Sequence, residues 1–457
     1  MLSPMRSLWI LASMLAACGS SEPTINNDPP RPARASAPEP ARNTPVVATK
    51  QLVFPPGEPG PAYIVVGDGI VAILPDGTTQ QIAGMMKYVE RLTIGLDGAV
   101  YATARDGVTP ELGIYKLSGA TATKLGTIRV VTSEAIAVDK DGVVYVADRK
   151  DVYRFDGKVT TKLGKPGTPA DVGDLAFDTD GNLLAAGRGG ASIRVGDAWK
   201  QLELPKLDAY ESVWLVGNGS RLVIASPDGF FEVAAGTPRR ILEKTKLRRR
   251  PVMTSTGIIG VWAYGPKHPV TELYDRSGAR ATSDRTADGI SATMIDASGR
   301  LWYVNGGALI VESLLDKQRT EYPIGTLPAL VKVGHDTGEN QLVVVGGGPA
   351  TLPPIGEVQV VDAVTGKILV GRKPLAGAEV EICTFASMSY SSSPCGQSSS
   401  RVAATTNADG EFTFAKVPLG IYSLAFKTGS KWGIASDTKV SLLKPAPSKS
   451  IGTLDYE

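Results

Sequence analysis

Short apolar runs punctuated by glycine turns fill most of this chain, and the turns recur at a steady spacing. In the clearest copy, Ile136 and Val138 lead through Asp139, Asp141 and Gly142 into Val144, Tyr145 and Val146. Asp-Gly tolerates the positive φ of a tight hairpin, so the block predicts strand, turn, strand. Val152, Tyr153, Arg154 and Phe155, closed by Asp156-Gly157, predict a third strand, and Val159 to Leu163 a fourth. The turn glycines Gly98, Gly142, Gly181, Gly219, Gly257, Gly299 and Gly338 lie roughly 38 to 44 residues apart, the period of a four-stranded propeller blade.

The remaining copies keep the same logic with less regular turns. Leu92, Ile94, Asp97, Gly98, Val100 and Tyr101 match well, as do Leu175, Phe177, Asp178, Asp180, Gly181, Leu183 and Leu184. Later glycines precede Leu222 to Ile224, Ile258 to Trp262, Leu301 to Val304 and Leu342 to Val345. Seven copies predict an all-β chain with a seven-bladed β-propeller, six or eight blades being the alternatives. A further hairpin pattern, Tyr63 to Val66, Ile70 to Leu74 and Thr78 to Ile82, lacks an opening strand of its own. An open ring would leave two bare sheet edges, so this stretch is expected to complete the last blade beside Leu342 to Val345.

Val138 to Asp148, with Arg154-Phe155-Asp156-Gly157 after it, resembles the blade of NHL-type and two-component-regulator-type propellers. The resemblance implies a fold, and propellers serve as enzymes, receptors and scaffolds alike. With 457 residues the chain has room for more than one domain, and a formal net charge of +2 gives no reason to expect nucleic acid as a partner.

Residues 1–17 read as an export signal: Arg6 supplies a basic start and Leu8 to Leu15 a short apolar core, far below the ~20 residues of a membrane span. Leu15-Ala16-Ala17-Cys18 resembles the lipobox of bacterial lipoproteins, which implies cleavage before Cys18 and its lipidation by palmitate-like chains. An ordinary secretory signal with a chance cysteine is the alternative. Residues 18–50, rich in Ser, Ala and Pro, cannot form a core and suit a disordered, extended tether. The expected partner at that end is a membrane of the cell envelope. Gly19, not Asp, follows the cysteine, which by analogy with the usual sorting pattern favours the outer membrane where there is one.

Cys383 and Cys395 remain, and in an oxidising compartment they are candidates for a disulfide, two free thiols being the alternative. They lie in a segment of different character, 357–457, after a propeller expected over 51–356. Lys373-Pro374-Leu375-Ala376-Gly377-Ala378-Glu379-Val380, then Asp409-Gly410-Glu411-Phe412-Thr413-Phe414, then Pro418-Leu419-Gly420-Ile421-Tyr422 resemble, in order, the carboxypeptidase regulatory-like domain. That resemblance implies a small transthyretin-like β-sandwich, an accessory module without catalytic residues. The Ser-rich loop Thr384 to Arg401 is either a solvated loop or a ligand-contacting one.

Chemistry-bearing patterns are sparse. The two histidines, His268 and His335, sit in no nucleophile or metal motif. Asp139-x-Asp141-Gly142 and Asp178-x-Asp180-Gly181 begin like calcium loops but lack the further oxygen ligands. No catalytic, cofactor or metal residues are therefore assigned and the binding residues are unknown, although an axial cation held by several blades would leave no linear motif. Arg239, Arg240, Lys244, Lys246, Arg248, Arg249 and Arg250 form a basic cluster expected in the connection between two blades. It is a solvated loop, or a contact for anionic lipid, polysaccharide or an acidic partner. The preferred function is an envelope-tethered binding or scaffold propeller with a protein or polysaccharide partner. The alternative is a metal-assisted lactonase or lyase with acidic side chains converging on the axis.

Overall fold

The computed structural model describes residues 54 and 57–456 apart from the segments 67–68, 86–87, 107–108, 206–210, 218–220, 235, 243–249, 265–268, 277–279, 284–289, 306–307, 317, 323–325, 327–341, 385–391, 397, 399–400 and 443. The described residues up to Val344 build seven four-stranded antiparallel sheets. Blades 1 to 6 are continuous in sequence: 88–129, 135–164, 172–201, 214–242, 252–283 and 290–322. Their first strands are neighbours in succession around the ring, from Tyr88–Ile94 through Ala135–Val138, Val172–Phe177, Trp214–Gly217 and Val252–Met253 to Ile290–Ile295.

Burial follows position within the blade. The second strands Val100–Arg105 and Leu222–Ser226 are buried at every residue, because neighbouring blades cover both faces of the sheet. Outermost strands such as Thr160–Gly164 alternate nothing and stay largely exposed. Apolar side chains thus collect between blades, as in the cluster Leu112, Ile114, Ile136, Val146 and Phe155 between blades 1 and 2.

Blade 7 is built from both ends of the propeller. Leu342–Val344 is its innermost strand, packed beside the first strands of blades 6 and 1, and Ala62–Val66, Gly69–Ile73 and Thr79–Gln81 follow outward. Ala62 pairs with Val344 and Ile64 with Leu342, so the expected closure is present. One detail differs. The strand after Gly338 was expected to follow a blade turn, but Leu342–Val344 takes the innermost place, and Gly338 lies outside the described residues. Three fully buried apolar residues fit either place, and only ring closure selects one.

Of the turn glycines, Gly98, Gly142, Gly181, Gly257 and Gly299 hold as hairpins, and Gly219, like Gly338, lies outside the described residues. Gly98 and Gly142 have φ of 77° and 78°, a region closed to most side chains. Asp139 Oδ1 accepts the backbone N–H of Asp141 and of Val143, both at 2.9 Å, and Asp178 Oδ1 does the same for Asp180 and Asn182. These carboxylates are occupied in bracing their own turns.

Residues 360–456 form two further sheets that share no strand with the propeller. Val360–Val370 pairs with Lys373–Pro374, Glu411–Pro418 and, in parallel, Lys449–Tyr456; the second sheet runs in the order Arg401–Thr405, Glu379–Cys383, Gly420–Thr428, Lys431–Leu442. Phe412 and Phe414 point inward while Glu411, Thr413 and Ala415 are exposed, the alternation of a half-buried strand. They meet Tyr422, Leu424 and Val380 in one apolar core, giving a β-sandwich. The chain changes sheets at Leu419, where the Tyr422 hydroxyl donates to the Pro418 carbonyl at 2.7 Å.

Cys383 and Cys395 are bonded and fully buried, packed with Ala425 and Trp432. The loop they bracket is anchored as well as closed. Glu381, 1 % exposed, receives Ser393 Oγ on one carboxylate oxygen and the Arg401 guanidinium on the other.

Candidate functional site

Antiparallel blades fix which residues share a face. Each innermost strand starts at one end of the propeller axis and finishes at the other, so the residues entering the innermost strands gather with the turns between second and third strands. At this end charged side chains line the axial opening. Arg91, Glu134, Arg149, Asp171, Asp174, Arg188 and Arg250, with the half-buried Trp214, line an opening of about 450 Å³.

Below the opening lies an axial channel of about 360 Å³ that shares Arg91, Glu134, Asp174 and Arg250 as its rim. All seven innermost strands contribute to it: Thr93, Ile136, Leu175, Val216, Met253, Met294 and Val343 are among its walls. At the far end the lining is Gly95, Leu96, Ser255, Val345 and Gly346, with no charged side chain. The site is therefore an apolar shaft with a charged mouth at one end only, within the size range of small-molecule pockets of ~300–1,000 Å³.

The charges of the mouth are paired in a repeating way. In blade 1, Arg105 at the end of the second strand reaches Glu90 in the first: Nη2 lies 3.1 Å from Oε2 and Nε contacts Oε1. Arg105 is 6 % exposed and also donates to the carbonyls of Thr109 at 2.6 Å and Val130 at 3.3 Å. Blade 2 repeats the pair as Arg149 and Glu134, 3.7 Å apart, and blade 3 as Arg188 and Asp171, 3.9 Å apart. In those blades the arginine side chains are 68 % and 54 % exposed.

Two further arginines are held firmly. Arg91 Nε donates to the Glu134 carbonyl at 2.7 Å and Nη1 to the Glu90 carbonyl at 2.9 Å. Arg250 Nη2 lies 2.7 Å from Asp174 Oδ1 and 3.1 Å from the Leu215 carbonyl, while Asp174 Oδ2 accepts the Leu215 N–H at 3.1 Å. That triangle ties blade 3 to blade 4 at the rim.

Arg149 itself has φ of 83°, a conformation uncommon for a residue with a side chain. Its turn is held from both sides. Asp148 Oδ1 accepts the N–H of Asp151 at 3.0 Å, and its Oδ2 accepts the Tyr153 hydroxyl at 3.0 Å. Partial burial, then that bond to a carboxylate, pushes the Tyr153 phenol up to about 12, so it remains a donor.

The other large depression, about 560 Å³, is a shallow groove between the edge strands Arg401–Thr405 and Glu411–Pro418 of the sandwich. Of the polar side chains that line it, Asn407 and Glu411 are engaged with their own turn, Asn407 Oδ1 accepting two backbone N–H groups at 3.0 and 2.9 Å. The axial site has the more developed chemistry.

No protein-family model and no curated protein sequence matches the chain. Among solved structures, a streptogramin B lyase is similar at 10% identity over 53% of this chain and 86% of its own, with a TM-score of 0.40. A gluconolactonase from Xanthomonas campestris is similar at 14% identity over 56% and 96%, TM-score 0.34. The WD40 β-propeller domain of Doa1 is similar at 12% identity over 55% and 91%, TM-score 0.36. Likeness at this level bears on the fold alone.

The sequence expectations distribute unevenly over this site. The basic cluster does not form one loop: Arg239 and Arg240 belong to the outer strand Thr237–Leu242, where solvent on the exposed edge accommodates charge, and 243–249 lie outside the described residues. Arg239 meets Glu232 at 3.2 Å, whereas Arg250 reaches the axis. His268, His335 and Cys18 lie outside the described residues. Among the described residues no group of three or more His, Cys, Asp or Glu is placed to hold a metal ion, and Glu134, Asp171 and Asp174 each face an arginine.

Sequence reasoning missed Arg91, Glu134, Arg149, Asp171, Asp174 and Arg188. A signal was present. An arginine follows the second strand in three successive blades, after Ala104, after Ala147-Asp148 and after Ala186-Gly187.

Proposed function

We propose that this chain is a lipoprotein anchored through Cys18 to the cell envelope, whose propeller is a binding module without catalysis and whose ligand sits at the charged axial mouth. The observation that carries this reading is the mouth itself: paired charges and Trp214 around an opening that continues into an apolar shaft. Acidic side chains each neutralised by an arginine suit recognition better than metal-assisted chemistry, which needs carboxylates turned toward an ion.

Residues 57–61 enter beside the turn 345–348, where Gly60 N–H donates to the Gly348 carbonyl at 3.0 Å and Val345 N–H to the Pro61 carbonyl at 3.0 Å. That is the end of the axis where no charged side chain among the described residues lines the channel. The sandwich serves as an accessory module, its Ser-rich loop pinned by the disulfide and Glu381.

Two experiments test the reading. Palmitate labelling in cells is expected for the wild type and lost in Cys18→Ala; labelling that survives the substitution removes the anchor. A photo-reactive side chain at the exposed Ser212, on the mouth, is expected to capture an envelope component, and one at the exposed Lys158, on an outer turn, to capture none. Capture at Ser212 should fall when Arg188→Glu is added. Equal capture at both positions, or indifference to Arg188→Glu, overturns the mouth as the binding site.

A further inference from the structure

We propose that the mouth and shaft together take a small organic carboxylate with an apolar body, its head group seated on Arg149 and Arg188 and its body in the axial channel. This rests on the mouth being the ligand site and names the class of ligand.

The repeated arginine–carboxylate pair supplies the first argument. In blade 1 Arg105 is buried and directs its guanidinium to Glu90, to Thr109 and to Val130, so the pair is a structural latch. In blades 2 and 3 the same device is opened. Arg149 and Arg188 stand 3.7 and 3.9 Å from Glu134 and Asp171, beyond good hydrogen-bond distance, and more than half of each side chain is exposed. Such pairs contribute little to the fold, and their guanidinium forks can turn toward a ligand at small cost.

The second argument is convergence. The Arg149 carbonyl accepts from Val172 N–H, and Arg188 N–H donates to the Asp171 carbonyl at 3.4 Å. The two arginines therefore flank one two-residue segment, and both line the same opening. Arg149 is held there at φ 83° by its braced turn, and strained backbone of this kind gathers at ligand sites.

Charge sign and polarity complete the assignment. Among the described residues, four arginines against three carboxylates leave the mouth with a formal excess of one positive charge, and the channel behind it is lined mostly by apolar side chains with no charged one at its far end. Arginine matches the planar carboxylate with two parallel N–H bonds. A ligand that is an anion at one end and apolar at the other satisfies both parts at once; a cation, or a polar anion with nothing to bury, satisfies neither or one.

The test is calorimetric titration of the full chain in lipid nanodiscs, against empty nanodiscs, with phenylpropionate, its neutral amide, phenylpropylamine and propionate. Phenylpropionate is expected to bind, and the amide and propionate each to bind about tenfold more weakly, the loss of one charge-assisted bond pair or of the apolar burial. Arg149→Gln and Arg188→Gln should each weaken phenylpropionate by about tenfold, and Arg149→Lys by less. Should a glutamine variant unfold, the lysine variants read the same site with charge retained. An amide or amine that binds as well as the acid, or glutamine variants within twofold of the wild type, overturns the assignment. Capture at Ser212 that persists while no carboxylate binds overturns this ligand class and leaves the mouth as the binding site.

Discussion

Asp296 is the residue whose removal should do most damage to ring closure. It is 1 % exposed in the turn between the first two strands of blade 6. Its Oδ2 accepts the fully buried Trp302 indole N–H at 2.8 Å and Arg300 Nε at 2.7 Å, and its Oδ1 accepts the Arg300 backbone N–H at 2.9 Å. Arg300 in turn donates through Nη2 to the Gly347 carbonyl, and Ala297 N–H donates to the Gly346 carbonyl at 2.9 Å, so the turn is fastened to the segment that leaves the closing strand.

Asp296→Ala leaves the indole N–H without an acceptor, at a cost of about 1–3 kcal/mol. The Arg300 side chain is about one-fifth exposed and keeps the Gly347 carbonyl, so its loss is discounted to about 1 kcal/mol. Together these predict about 3 kcal/mol, felt first at the closure. Asp296→Asn keeps one acceptor oxygen and should lose about half as much. Hydrogen exchange read by mass spectrometry separates the regions. Peptides covering Ala62–Val66 and Leu342–Val344 should lose protection by roughly a hundredfold in Asp296→Ala, while those covering Gly420–Thr428 in the sandwich stay as in the wild type. Closing strands within twofold of the wild type, or an equal loss in the sandwich, would refute the reasoning.

Other consequences are open to simpler measurements. Gly187→Ala would drive its new Cβ into the Asp171 carbonyl at the edge of the mouth, so a loss of about 1–3 kcal/mol and weaker ligand capture are expected by thermal melting and cross-linking. An unchanged melting temperature would show that residues 171–173 yield without cost. Replacing Cys383 and Cys395 together by Ala opens a loop with a sequence separation of 12 and should destabilise the sandwich by roughly 3 kcal/mol, leaving propeller exchange untouched. Burial raises the Tyr322 phenol to about 12 while its hydroxyl donates to the Pro353 carbonyl at 2.8 Å. The folded chain holds that proton after the unfolded chain has begun to lose its own near pH ~10, so the contribution is complete below that pH and disappears as pH rises toward about 12. Tyr322→Phe should flatten the fall in stability across that window. An identical slope in the variant would assign the fall to other tyrosines.

The fold was legible because its determinants are local. Alternating apolar runs, Asp-Gly turns and a steady period are sufficient to predict blades, and the cost of bare edges predicts that Tyr63 to Val66 must find a partner near Leu342. The sandwich was legible for the same reason in the strand of Phe412 and Phe414, which declare their buried face by twofold alternation, whereas the strand of Tyr422 and Leu424 is buried on both faces, Ser423 and Ala425 included. The place of Leu342–Val344 within its blade was not, because three uniformly apolar residues carry no information about neighbours on either side.

The mouth was a different matter. Glu134 and Arg250 precede innermost strands, Asp174 interrupts one, and Arg149 and Arg188 follow second strands; along the chain each is an unremarked polar residue in or beside a strand. Even the basic cluster misled, since of its described members Arg239 and Arg240 lie on an outer strand of blade 4 and Arg250 at the axis. The sequence by itself determined the strand pattern, the period and the need to close. The tertiary structure alone decided which charges meet, because side-chain patterning reports neighbours a few residues away, whereas the axis of a propeller gathers residues separated by a whole blade.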